Sequence, residues 1–277
     1  MIAVLYVRFP SDALRNYLQA TVAEMDPNYD VSIGKSQLAF PFGVKLFKTV
    51  LVPRKQPDRN LFIADRLLIR PEIVSFVKGE PKYKFDCLAY NGDLKGFFRF
   101  KKKGMDAPFT TMIELRDIHM ADYAYLSTLI GRNVKGILGG IVNYSGQRGL
   151  LINGNGEANL KISDGWVQLL DPIFGLDSIA FDDLRIKMVL GKRKIRLTNV
   201  ELEGRDLKGT LSGTVSLKKD LSRSNLELKG SIQPLEGLFR GGSGTSDTLQ
   251  YLKRGLKKGK ISFVIRGTPV EPRIRFI

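Results

Sequence analysis

The stretch DLKGTLSGTVSL, residues 206–217, decides the fold because large apolar side chains alternate in it with polar ones. Four apolar residues fall on one side of an extended chain: Leu207, Leu211, Val215 and Leu217. Cationic or hydroxyl side chains fall on the other side: Lys208, Thr210, Ser212, Thr214 and Ser216. Successive side chains of a strand point to opposite faces, so the pattern predicts a strand with one apolar face and one hydrated face.

The same one-sided alternation recurs along the C-terminal half, in residues 154–162, 183–190 and 225–232. Such a series predicts a mainly β protein, built as an elongated, twisted and curved antiparallel sheet that forms a groove-like or U-shaped layer, with a few short helices. We expect the apolar face to provide a groove. Its candidate residues are Leu184, Ile186, Met188, Leu190, Leu207, Leu211, Val215, Leu217, Leu226 and Leu228.

Helical signals are few. Residues 11–25 predict an amphipathic helix, with Ser11 or Asp12 as its cap and apolar residues at helical spacing. Shorter helices are expected within 71–81, over 120–132, near 171–178 and over 246–258. We interpret residues 11–277 as a single elongated β-rich domain, in which a subdivision would fall near 135–150.

A short phrase occurs twice, as GDLKG at 92–96 and as RDLKG at 205–209. In each copy the aspartate and lysine would share the hydrated face, while the leucine faces the core. Gly96 and Gly209 would permit twist or a bulge. The turn Asn91-Gly92 before the first copy predicts a hairpin. We interpret the phrase as a recurring strand unit and not as a binding motif.

Residues 1–7 are an unbroken apolar run, too short to span a bilayer. The run lacks the basic start and cleavage site of a complete signal peptide. Two interpretations remain: a first buried strand, or the tail of an N-terminal membrane anchor over residues 1–10. The anchor candidates are Ile2, Ala3, Val4, Leu5, Tyr6 and Val7.

The formal net charge of +16 favours an anionic partner. The basic residues form local clusters: Lys101, Lys102, Lys103, Lys192, Arg193, Lys194, Lys253, Arg254, Lys257 and Lys258. The aromatic residues are not interleaved with these clusters, as they are in a groove that stacks bases, so nucleic acid is the less favoured partner. Anionic lipid is favoured over nucleic acid, while hydrated turns that protect sheet edges are an equally good interpretation of the clusters.

The chain offers no pattern of catalytic residues. It has one histidine, His119, and one cysteine, Cys87, so neither a zinc site nor an intrachain disulfide is expected. We interpret Cys87 as a small buried apolar residue and His119 as structural. The glycine-rich stretch at 241–247 lacks the lysine of a phosphate-binding loop. We therefore expect a protein that is not an enzyme and has no metal and no cofactor.

Three stretches together resemble the type II secretion system protein N family, which is related to the AsmA-like periplasmic proteins. They are residues 150–167, residues 173–234 and residues 263–276, with a looser similarity in RFP at 8–10 and VSIGKSQL at 31–38. The resemblance rests on the order of a GNG strand, an IFGLDSIAF segment, the RDLKGTLSG strand and a closing GTPVEP strand.

The resemblance implies a non-enzymatic component of a type II protein secretion system, anchored to the inner membrane of a Gram-negative bacterium with a β-rich body in the periplasm. It favours the interpretation of residues 1–7 as the tail of a membrane helix. Other secretion-system proteins are then expected partners. AsmA-like relatives also suggest an alternative, a groove protein that binds or transfers lipid between membranes. A basic nucleic-acid-binding β protein is the lower alternative.

Overall fold

The computed structural model describes residues 11–25, 28–102, 107–147, 151–173, 176–235 and 259–277. Fourteen strands form one antiparallel sheet in which spatial order follows chain order, so each strand pairs with its neighbours in sequence. The strands are β1 (Tyr29–Ala39), β2 (Gly43–Pro53), β3 (Phe62–Pro71), β4 (Lys82–Ala89), β5 (Gly92–Phe100), β6 (Phe109–His119), β7 (Val134–Gly146), β8 (Asn155–Ile173), β9 (Leu176–Gly191), β10 (Lys194–Glu203), β11 (Leu207–Ser216), β12 (Asn225–Pro234), β13 (Ile261–Gly267) and β14 (Pro272–Phe276). This confirms the predicted mainly β fold, and β7 continues the sheet through the glycine-rich segment.

Three short α-helices accompany the sheet in the described part of the chain: α1 (Ser11–Met25), α2 (Ile73–Val77) and α3 (Ala124–Ile130). The predictions at 11–25 and within 71–81 are confirmed, and that at 120–132 corresponds to α3 with a 3-10 turn before it. The helix predicted near 171–178 is wrong, because β8 and β9 stay paired as far as Ile173 and Leu176, and ladder hydrogen bonds occupy the backbone there. The segment 246–258 lies outside the described residues.

The hairpin between β4 and β5 is present, but its turn is one residue earlier than predicted. Tyr90 and Asn91 carry the positive φ angles, 53° and 57°, and Gly92 already pairs with Ala89. Gly92 instead allows the backbone of β6 to approach closely, since a Cβ on Gly92 would lie 2.5 Å from the carbonyl oxygens of Arg116 and Asp117.

The sheet has an inner face, defined by Leu207, Leu211 and Val215, and an outer face rich in charge. On β1 and β2 the buried positions change phase, between Ile33 and Ser36 on β1 and between Leu46 and Thr49 on β2. Lys48, with φ 50°, lies at this shift and is exposed. The β1–β2 and β2–β3 pairings keep one register through this position.

Helix α1 packs on β1 and runs antiparallel to it. The Ser36 hydroxyl donates a hydrogen bond to the Ser11 carbonyl (2.6 Å), and the Gln19 side-chain amide donates to the Val31 carbonyl (3.2 Å). The N-terminus of α1 therefore lies near the end of β1 that leads to Phe40.

The inner face of β4 to β7 is aromatic. Ring contacts run from Phe76 on α2 through Tyr83, Phe100 and Phe109 to Tyr144 on β7, with centroid separations from 5.5 to 6.2 Å. Such edge-on and tilted contacts are the favoured aromatic geometries and stabilise this half of the sheet.

From β7 onward the sheet coils back on itself. The Arg132 guanidinium, just before β7, donates to the Pro269 carbonyl between β13 and β14 (3.4 Å). A Cβ on Gly131 would lie 3.2 Å from the Val270 side chain, and α3 contacts the short turn Leu221–Arg223. Partial burial lowers the pKa of Arg132. The accumulated twist of the strands brings these distant connections together and makes the inner face concave.

Candidate functional site

The inner face of β9 to β13 carries a continuous field of aliphatic side chains, here called the aliphatic field. Cross-strand pairing aligns it in rows. One row runs Leu190, Ile195, Val215, Leu226, and the next runs Met188, Leu197, Gly213, Leu228, Ile265. Directly opposed residues share a face, so these rows form one apolar surface.

Most of the aliphatic field is half-buried. Leu207 and Leu228 are buried, whereas Leu184, Ile186, Met188, Leu190 and Leu226 retain accessible surface. The residues between them on β9, such as Arg185, Lys187 and Val189, are exposed on the outer face. The field is thus an apolar surface that the described residues only partly cover.

The pairing brings together nine of the ten groove residues predicted from sequence. Leu217 lies one residue beyond the end of β11, where its backbone N–H donates to the Arg193 carbonyl (2.8 Å). It is half-buried at the rim of the field.

Sequence reasoning missed the contribution of β10, which supplies Ile195, Leu197, Val200 and Leu202 to the same face. The register of β10 shifts between Leu197 and Val200, so its apolar residues alternate in one phase before the shift and in the other after it. Two short alternating segments separated by Thr198-Asn199 are the signal that would have revealed this strand.

Clefts over this half of the sheet have mixed linings. One of about 610 Å³ lies over β11 to β13 and is lined by Gly213, Leu226 and Leu228 together with Glu227, Lys229 and Arg266. Another of about 510 Å³ lies beside Phe181, where Asp164, Asp182 and Arg205 contribute charge. Both linings thus combine apolar and charged side chains.

The described basic candidates lie at strand ends and do not form one patch. Lys101 and Lys102 follow β5 and are exposed. Lys192 and Arg193 form the two-residue turn between β9 and β10, with φ of 51° and 60°, and Lys194 begins β10. Lys103, Lys253, Arg254, Lys257 and Lys258 lie outside the described residues, as do the anchor candidates Ile2 to Val7.

The single thiol and the single imidazole occupy different environments. Cys87 is 2% exposed in a cluster with Ala64 and Ala89, and burial raises the pKa of its thiol to about 12. The interpretation of Cys87 as a buried apolar residue is therefore confirmed. His119 ends β6 with an exposed side chain, and its backbone N–H donates to the Tyr90 carbonyl (3.0 Å).

The described residues contain no cluster of three or more side chains suited to hold a metal ion. None of the helices in the described ranges combines the length and apolarity needed to cross a bilayer. Comparison of the chain with protein-family models, with curated proteins and with solved structures finds no match.

Proposed function

We propose that this chain is a non-enzymatic component of a type II protein secretion system, AsmA-like in build and associated with the periplasmic side of the inner membrane of a Gram-negative bacterium. The observation that supports the proposal is the single curved sheet. The stretches that resemble the protein N family, residues 150–167, 173–234 and 263–276, supply β8 to β14 in unbroken order. The resemblance implies such a sheet, and its presence is a necessary condition of the proposal.

A second function, binding of lipid acyl chains on the inner face, is favoured by the half-buried aliphatic field. Leu184, Ile186, Met188 and Leu190 are flanked on the outer face by exposed charge but retain accessible apolar surface on a concave side. Covering such a surface removes apolar area from water, and acyl chains have the matching chemistry. Secretion and lipid binding are compatible roles for one membrane-associated protein.

Nucleic-acid binding is the lower alternative. A stacking groove places aromatic rings beside cations, whereas Tyr83, Phe100, Phe109 and Tyr144 contact one another on the inner face. The hairpin turn formed by Lys192 and Arg193 contains no aromatic residue. Salt-sensitive binding to a DNA oligonucleotide, without binding to anionic vesicles, would favour this alternative instead.

The secretion proposal is tested by deleting the gene in a strain that exports proteins by the type II route. We expect exported substrates to accumulate inside the cell and to return to the medium when the intact gene is supplied. Unchanged export in the deletion strain would contradict the proposal.

The lipid proposal is tested by native mass spectrometry of protein extracted with mild detergent. We expect co-purified phospholipid in the wild type and its loss in the double variant Met188→Gln with Leu211→Gln, which places amides in the aliphatic field. The matched control is Lys187→Gln with Ser212→Gln, which alters the adjacent outer-face positions. Equal lipid in both variants would contradict binding on the inner face.

A further inference from the structure

A second apolar surface lies at the opposite end of the chain from the aliphatic field, on the turn between β1 and β2 and on α2. Its side chains are between 53% and 86% exposed. We call this surface the apolar tip, formed by Phe40, Phe42, Ile73, Val74 and Val77. Single exposed apolar residues are common on proteins, but five in two adjacent short segments mark an interaction surface.

The two segments are adjacent in space as well as exposed. Val44, which follows the turn, pairs with Ile69 at the end of β3. A Cβ on Gly43 would lie 2.8 Å from the Ile69 carbonyl oxygen and 2.9 Å from the Arg70 side chain. Helix α2 begins three residues after Arg70, so the turn and the helix project from the same end of the sheet.

Contacts of Ser75 and Phe76 with β4 fix the orientation of α2, and the other apolar residues of this helix therefore point away from the sheet. Phe76 packs edge-on against Tyr83, with ring centroids 5.5 Å apart. The Ser75 hydroxyl donates to the Glu72 carbonyl (2.5 Å) and accepts from the Lys82 backbone N–H (2.8 Å). Because Ser75 and Phe76 face the sheet, the side chains of Ile73, Val74 and Val77 are exposed to solvent.

Cations surround the tip. Arg70 precedes it, Lys78 follows Val77 directly, and both are exposed. The Phe100 N–H donates to the Pro81 carbonyl (2.9 Å), which places the exposed Lys101 and Lys102 beside the chain that leaves α2.

The acidic residues near the tip leave this positive charge largely uncompensated. Glu72 is paired with Lys82 (3.1 Å) and Lys84 (3.3 Å), and these two lysines lower the pKa of its carboxyl. Among the other described acids near this end, Asp12 at the start of α1 is paired with Arg15 (3.2 Å), and Glu80 is exposed.

We propose that the apolar tip inserts into the interfacial region of an anionic phospholipid membrane, with the surrounding lysine and arginine side chains on the lipid head groups. Exposed apolar side chains ringed by cations have the chemistry of an interfacial membrane-binding surface, whereas a protein partner would need a matching acidic rim. The start of α1 lies at this end of β1, where the Ser36 hydroxyl donates to the Ser11 carbonyl.

This inference does not depend on lipid being held in the aliphatic field, and the two are tested separately. Sedimentation of the full chain with vesicles, compared between tip variants and control variants, measures the contribution of the tip. With vesicles of phosphatidylcholine and phosphatidylglycerol we expect binding that falls at least about tenfold in Val74→Asp with Val77→Asp, because two charges replace inserting apolar groups.

The control that introduces the same two charges elsewhere is Leu170→Asp with Val189→Asp, two residues on β8 and β9 that are 50% and 46% exposed. We expect it to bind as the wild type does. Both double variants keep residues 1–10, so unequal binding cannot come from the N-terminal segment. Equal binding of the tip variant and the wild type would overturn the proposal.

The electrostatic part is tested with Lys101→Gln and Lys102→Gln together. Binding to phosphatidylglycerol vesicles should weaken on the order of tenfold. The control Lys55→Gln with Arg59→Gln removes two exposed cations from the turn between β2 and β3, at the other end of the same strands, and should change binding little. Equal losses in the two pairs would mean that net charge alone drives association and would overturn the proposal.

Insertion itself is followed by fluorescence of Val77→Trp in a Trp166→Phe background. We expect a blue shift in the emission of the introduced tryptophan on addition of anionic vesicles, and quenching by brominated acyl chains. Emission unchanged by vesicles, or a shift that depends on protein concentration without vesicles, would point to a protein partner or a second copy and would overturn membrane insertion.

Discussion

Gly96 and Gly209 close the two copies of the repeated phrase, and their surroundings on β5 and β11 differ sharply. A Cβ on Gly96 would overlap the Met112 carbonyl oxygen and lie 3.0 Å from the Phe85 ring. At Gly209 the nearest atoms, in Leu202 and Ser231, are both 3.7 Å away, an ordinary contact distance. Of the two features that these glycines would permit, twist or a bulge, the pairing shows no bulge, because neither site has a register shift.

The difference follows from what each strand packs against. On β5 the Gly96 position lies among the aromatic contacts of β4 to β6, where Phe85 packs against Phe98 with centroids 5.3 Å apart. On β11 the neighbours are the aliphatic and hydroxyl side chains of β10 and β12. The same sequence, DLKG, therefore ends in a glycine that is required on β5 and in one that is replaceable on β11. The difference arises because the neighbouring strands set the space available to a side chain at that position.

The largest expected effect is the stability difference between Gly96→Ala and Gly209→Ala. The added methyl group at residue 96 meets backbone, which must shift, so we expect a loss of about 3 kcal/mol in the free energy of unfolding. At residue 209 the change should lie within about 0.5 kcal/mol. Urea unfolding followed by circular dichroism measures the free energy of unfolding of each variant. Similar losses in the two variants would show that the neighbouring strands do not determine the cost of replacing the glycine.

An intermediate effect is expected in the reactivity of Cys87, which pairs with Leu94 in the first copy. Because burial raises the pKa of the thiol to about 12, iodoacetamide at pH 8 should react only when β4 and β5 open. We expect Gly96→Ala to accelerate labelling by at least about tenfold, since it strains this hairpin. Gly209→Ala should leave the rate unchanged, and equal acceleration in both would mean that opening involves the whole sheet.

The smallest effect is expected for the aspartates, Asp93→Ala and Asp206→Ala. Asp93 lies opposite Arg116 on β6, and the backbone carbonyl of Asp206 accepts from the Leu235 N–H (2.8 Å), which an alanine preserves. Each variant should change the free energy of unfolding by less than about 0.5 kcal/mol. Loss of bound phospholipid or of vesicle binding in either variant would show that the phrase contains a site after all.

Alternation of apolar and polar residues was sufficient to predict the sheet and most of the aliphatic field, because each strand has one apolar and one hydrated face. It failed where the backbone leaves the regular period. The shift at Thr198-Asn199 concealed β10, and the β8–β9 connection was wrongly predicted as a helix. Local turn preference also placed the hairpin turn at Asn91-Gly92, although pairing with β6 uses Gly92 for close approach.

The apolar tip shows a different limit of sequence reasoning. The letters IVSFV predict a helical turn in 71–81 but are apolar nearly all round. Which of them face solvent depends on the contacts of Ser75 and Phe76 with β4, and those contacts join residues that only the fold brings together.

The pairing of every strand with its neighbour in sequence has a consequence for how the chain acquires its shape. A strand finds its partner in the segment just before it, so a chain that emerges N-terminus first can add strands one at a time from β1 to β14. Most steps close only a short loop, the longest connection being the 26 residues between Pro234 of β12 and Ile261 of β13. Short loops keep contact order low for an all-β protein and favour rapid folding. Evolution could lengthen or shorten such a sheet by one hairpin without rearranging the remaining connections.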